Sequence, residues 1–163
     1  KTAWPKNKPI ELNICGNNAK LLSEDLFNAK NLWNEALKPH QEIVMKVSDN
    51  YPPFSDLNQH CIYYIDSFKH EPKPNVAKYG STMTPHFDTD TIYDSDILIF
   101  KSELSKQNQD IKRYMKKVVL HEMGHALGLD HQFDGTQSIM SYDFESPAEL
   151  TDYDKAAIQD LYK

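Results

Sequence analysis

His121-Glu122-Met123-Gly124-His125-Ala126-Leu127-Gly128-Leu129-Asp130-His131 is the stretch from which the rest of this chain can be read. His121 and His125 are four residues apart, a spacing that stacks two side chains on one face of an α-helix, so both imidazoles can aim a nitrogen at one point. A catalytic zinc ion takes three protein ligands and keeps a fourth position for water, so a third donor has to come from outside that face. Gly128 supplies the means. Glycine tolerates the left-handed backbone conformation that ends helices, and a chain that stops there can present His131 from another direction. Glu122 follows the first histidine directly, which puts it beside the metal, with the zinc-bound water as its natural partner. Nine residues beyond His131, Met140 stands in Ser-Ile-Met-Ser-Tyr.

The pattern H-E-x-x-H-x-x-G-x-x-H with a later methionine resembles the metzincin zinc endopeptidases, and the wording HEMGHALGLDH is most similar to the matrixins, the matrix metalloproteinase group. The tail from Leu150 through Asp154 to Tyr162 is similar to the last matrixin helix, and the order of segments before the motif fits as well, so the resemblance covers most of the chain. A core helix with solvated histidines, or a closed structural zinc site, has no need of the added Gly128, His131 and Met140. A degenerate relative would typically have lost the acid, and Glu122 is present.

At 163 residues the chain fits one domain with a core of its own. The net charge of −6 argues against a nucleic-acid footprint, and the basic run at Lys112, Arg113, Lys116 and Lys117 reads as the solvated face of a helix. No apolar run approaches membrane-spanning length. The chain opens at Lys1 without an apolar leader, so the expectation is a secreted, cell-surface or periplasmic monomer whose leader, pro-segment or inhibitor lies outside this sequence. Cys15 and Cys61 allow one disulfide. Both sit near strands expected to run parallel, whose register tends to hold them apart, so buried free thiols are the favoured expectation and a bridge the alternative.

Ile10 to Cys15 alternates as a short strand, and a helix follows with Ser23 as N-cap, Leu22 and Phe27 as a staple, and Leu26, Ala29, Leu32, Trp33, Ala36 and Leu37 at helical spacing until Pro39. Ile43 to Val47 and Cys61 to Ile65 are strand candidates. Ser81 to His86 reads as a weak edge strand because it contains Pro85. Ile97 to Phe100 suits a buried strand. Asp110 caps a long helix reaching Leu127, and a last helix starts at Thr151. This order, together with the resemblance, implies an α+β metzincin (zincin-like) catalytic domain over residues 1–163. It would contain a twisted, mostly parallel five-stranded sheet with an antiparallel edge strand, two long helices and a C-terminal helix. An upper part would span about residues 1–128 and a lower part about residues 129–163.

The function that follows is hydrolysis of internal peptide bonds in extended protein or peptide substrates. One Zn²⁺ held by His121, His125 and His131 lowers the pKa of its bound water to about 7, and Glu122 takes the proton and passes it to the departing amine. Below about pH 6.5 protons would compete for the imidazoles. The resemblance implies that Met140 floors the site and that Asp154 hydrogen-bonds the methionine turn. Tyr153 stands where matrixins have a second acid. Tyr142 departs from the matrixin pattern toward astacins and serralysins, and two roles stay open for it, an additional zinc ligand or a wall of the substrate pocket. Substrate would pair along Ser81, Thr82, Met83 and Thr84, with its main pocket walled by residues 142–149. The remaining histidines, His40, His60, His70 and His86, do not reproduce the second zinc site of matrixins. Asp88, Asp90, Asp94 and Asp96 offer hard oxygens for Ca²⁺, against which a solvated acidic loop is the favoured reading. A catalytically silent zinc-binding module that docks extended peptides is the alternative function.

Overall fold

The computed structural model describes residues 1–53, 59–66, 79–85, 90–106, 110–141 and 148–163. Along the chain run β1 (Ile10–Cys15), α1 (Gly16–Lys20), α2 (Ser23–Leu37), β2 (Ile43–Ser48), β3 (Cys61–Ile65), β4 (Gly80–Met83), β5 (Asp96–Phe100), α3 (Lys101–Ser105), α4 (Ile111–Ala126) and α5 (Asp152–Tyr162). The strands form one five-stranded sheet in the order β2-β1-β3-β5-β4. β1 pairs parallel with β2 and β3, β3 parallel with β5, and β4 runs antiparallel to β5 with Gly80 opposite Ile99 and Met83 opposite Asp96. The result is an α+β fold with one antiparallel edge.

Alternation along the strands separates two apolar layers, because successive side chains leave a strand on opposite faces. Ile10, Leu12, Ile14, Ile43, Met45, Ile62, Tyr64, Ile97 and Ile99 join the main core with Leu26, Ala29, Trp33 and Leu37 of α2 and Met115, Val118, Val119 and Met123 of α4. The other face holds a smaller cluster of Cys15, Cys61, Tyr63, Leu98 and Phe100. Both tryptophans tie α4 down: Trp33 Nε1 donates to the Leu120 carbonyl at 3.0 Å, and Trp4 Nε1 to that of Ala126 at 2.7 Å. No helix among the described residues is long and apolar enough to cross a membrane.

Several expectations change. Ser23 opens α2 but does not cap it. A separate short helix, α1, precedes it, and the Ser23 hydroxyl donates back to the Lys20 carbonyl. Leu32 is exposed. The edge strand stops at Met83, ahead of Pro85, whose missing N–H is therefore not asked to join the ladder. Lys117 is not on a solvated face: it is 3% exposed on the inner side of α4, while Lys112 and Lys116 point to water. Cys15 and Cys61 form a disulfide with Cα atoms 5.6 Å apart. β1 stops pairing with β3 after Ile14, and the immediate entry into α1 frees Cys15 from the register that would separate them.

The acidic stretch is not a solvated loop either. Asp90 is exposed and Asp88 lies outside the described residues, but Asp94 and Asp96 are buried. Asp94 faces His60 Nδ1 at 3.0 Å, and Asp96 accepts the Cys61 N–H at 3.0 Å. Burial, helped by the nearby Asp94 charge, pushes the Asp96 carboxyl up to about 6 against the opposing pull of that N–H.

Candidate metal centre

α4 carries the first two imidazoles, and its end carries the third. The helix finishes at Ala126, the N–H of Leu129 returns to the Gly124 carbonyl, and Gly128 takes φ +107°. A side chain there would meet the Thr2 carbonyl oxygen at 2.2 Å, so both backbone conformation and space require glycine. The turn sends the chain back across the helix end, and His131 arrives beside the other two. The Nε2 atoms of His121, His125 and His131 stand 3.1, 3.0 and 3.2 Å from one another.

Hydrogen atoms decide what those distances mean. His121 Nδ1 lies 2.7 Å from the Ile139 carbonyl and His125 Nδ1 lies 2.8 Å from that of Leu129. A carbonyl only accepts, so both Nδ1 atoms carry the proton and both Nε2 atoms present lone pairs. Two lone pairs facing at 3.1 Å repel unless a cation lies between them. Nitrogens bound to one tetrahedral zinc at about 2.0–2.1 Å stand about 3.3–3.4 Å apart, close to the spacing seen. The donor set fits zinc, and it is the group of metal-ligating side chains found among the described residues.

Electrostatics agree with that role. Burial above all, reinforced by the neighbouring imidazoles, lowers His121 to about 3 and His131 to about 4, and burial lowers His125 as well. All three are held neutral, the state that ligates a metal. Glu122 is 2% exposed, and burial raises its carboxyl to about 7 against the lowering effect of the Thr82 hydroxyl.

Met140 is buried beneath the helix, with its sulfur packed so near Gly124 that a Cβ on that glycine would meet it at 2.5 Å. The turn around it is bound to α5. Asp154, fully buried, accepts from the Ser138 hydroxyl at 2.5 Å through Oδ1 and from the N–H groups of Ile139 and Thr151 at 2.9 Å through Oδ2. Thr151 and Asp154 also close a reciprocal cap at the start of α5.

Ser81, Thr82 and Thr84 line a cavity of about 840 Å³ together with Glu122, His125, His131, Leu129 and, from α5, Tyr153. Met83 does not line it and is 36% exposed. Tyr142, His70 and His86 lie outside the described residues, as do most of residues 142–149. His60 pairs with Asp94, away from the imidazole cluster. Sequence reasoning missed the carbonyls of Ile139 and Leu129 as partners of the histidines, and main-chain acceptors leave no mark in residue type. It also missed the Thr82 hydroxyl, which meets Glu122.

No curated protein sequence matches this chain. Among solved structures, the crystal structure of the archaemetzincin from Methanopyrus kandleri is similar over 96% of this chain and 97% of its own, with a TM-score of 0.61 and 13% sequence identity, a likeness of fold. The family described as Matrixin matches residues 63–163, which include every imidazole of the cluster, the methionine turn and α5. The chain is a protease-like, metal-binding module, and it belongs to the matrixin family.

Proposed function

We propose that this protein is a zinc-dependent endopeptidase that hydrolyses internal peptide bonds of extended protein or peptide substrates, with residues 1–163 acting as one catalytic domain. The observation that carries the reading is the placement of a buried carboxylate, Glu122, in the cavity that His125 and His131 also line, next to a cluster in which the Nε2 atoms of three imidazoles, His121 included, converge. When bound, zinc supplies Lewis acidity and brings a coordinated water to a pKa of about 7.

The chain's own groups supply the remainder. His121, His125 and His131 would hold the ion, with two of them oriented by the Ile139 and Leu129 carbonyls. Glu122, at a pKa near neutrality, accepts the proton of the attacking water at the carboxylate oxygen facing the cleft and delivers it to the departing amine. β4 is the last strand of the sheet among the described residues, and the proposed mode of substrate binding is an extended peptide that adds along its outer edge as a further strand. For Tyr142 the proposed roles remain the two given by the sequence, an additional zinc ligand or a wall of the substrate pocket. A secreted or periplasmic setting is in keeping with the Cys15–Cys61 disulfide.

The test is cleavage of unfolded casein by zinc-loaded protein, by chelated protein and by Glu122→Gln. The expected loss in the variant is about two to four orders of magnitude, with activity restored to the chelated wild type on adding zinc. Equal absence of turnover in wild type and variant, on casein and then on a peptide library, would assign the chain instead to peptide binding without catalysis.

A further inference from the structure

Glu122 is nearly sealed from water, and a buried carboxylate without donors is costly. Among the described residues the donor to it is Thr82, whose Oγ1 lies 2.5 Å from Oε2 and 3.1 Å from the Glu122 main-chain carbonyl. Gly80 lies two residues earlier on β4 and so faces the same side of the sheet, toward α4. A Cβ on Gly80 would stand 3.0 Å from Glu122 Cγ and 3.2 Å from Val118 Cγ1. One strand thus leaves room for the glutamate stem and supplies the hydroxyl that meets its head.

We infer that Thr82 is the positioning residue for Glu122: its hydroxyl pins Oε2, Gly80 admits the side chain, and Oε1 is left as the oxygen offered to the cleft. The inference rests on the reading of Glu122 as the proton carrier. It divides β4 between two tasks, with backbone groups on the outer edge pairing with substrate and the inward-facing side chains fixing the base. Threonine suits the task because its branched Cβ restricts χ1 and holds the hydroxyl in one direction. A contact with substrate is the competing role for this hydroxyl, and it would leave a different kinetic mark. An interaction made equally with bound substrate and transition state appears in KM, whereas misalignment of a proton carrier appears in kcat.

The experiment compares Thr82→Val, which keeps the shape and removes the hydroxyl, with Thr82→Ser, which keeps the hydroxyl, both zinc-loaded. The expected result for Thr82→Val is a kcat lower by about ten- to a hundredfold with KM within about twofold and zinc content unchanged, and Thr82→Ser recovers most of the loss. Crystal structures of the same proteins should show Glu122 leaving its wild-type rotamer in Thr82→Val and keeping it in Thr82→Ser. An unchanged kcat, a rise in KM alone, or failure of serine to rescue would overturn the assignment. If zinc-loaded wild type cleaves nothing, the protease reading fails by itself. The crystal structures then decide the positioning role, and a Glu122 rotamer indifferent to Thr82→Val would end it.

Discussion

The carbonyl of Ile139 accepts the Nδ1 proton of His121 at 2.7 Å while the N–H of the same residue donates to Asp154 at 2.9 Å. A single residue, through the two peptide groups that flank its Cα, therefore links a carboxylate on α5 to an imidazole on α4. Asp154→Ala strands three donors in the interior, those of Ser138, Ile139 and Thr151. The expected cost is about 3 kcal/mol in urea unfolding of the chelated protein, with zinc affinity about tenfold weaker in a competition titration. Unaltered zinc affinity in a destabilised variant would show that the link does not reach His121.

Acid should act on the metal-free protein through the same imidazoles. In the folded chain His121 titrates at about 3 and His131 at about 4, both below the unfolded value of about 6.5. As pH falls, the unfolded chain binds protons first. Their contribution to stability is whole above about pH 6.5 and is lost as pH drops toward the folded values. The urea midpoint of chelated protein is expected to be lower at pH 5 than at pH 7.5. For the same reason protons displace zinc later than free imidazole would suggest, so zinc content after dialysis should hold near pH 5.5, about one unit below the simple expectation.

Asp96 pulls the other way. Its folded value of about 6 exceeds the unfolded 3.8, so its contribution is fully present below about pH 3.8 and is lost as pH rises through 6. Asp96→Asn retains an acceptor for the Cys61 N–H and removes the charge. It should stabilise the protein at pH 7.5 by about 2 kcal/mol, with the advantage closing by pH 4. A variant less stable than wild type at pH 7.5 would mean that the charge is compensated in a way burial does not reveal.

The Cys15–Cys61 bridge joins β1 to β3 across a sequence separation of 46. Loop-closure entropy for that length corresponds to about 4 kcal/mol. Replacing both cysteines by alanine, or reducing the protein, should lower the urea midpoint accordingly and leave zinc stoichiometry at one. Equal midpoints for oxidised and reduced protein would contradict this.

How much of this is legible in the residues depends on the range of the forces involved. β1 and β3 are read to the residue because Ile10, Leu12 and Ile14 alternate and Cys61 to Ile65 is a dense β-branched and aromatic run. The imidazole convergence is legible because it needs only one helical turn and one glycine. Helices α1 and α3 are five residues each, too short to show a period, and the capping pattern at Ser23 fails because α1 ends just before α2. Burial of Lys117, Asp94 and Asp96 depends on which elements pack over them, and residue type argues the other way. The disulfide depends on how β1 ends, which alternation does not encode.

The chain has two tryptophans, and both indole N–H groups end on carbonyls of α4, at Leu120 just before the first histidine and at Ala126 just after the second. Its intrinsic emission is therefore an optical gauge of one helix. Light absorbed anywhere else in the fold by tyrosine and passed to indole is reported from the two ends of the ligand-bearing turn. Loosening of that turn on loss of zinc becomes visible in a cuvette without any label.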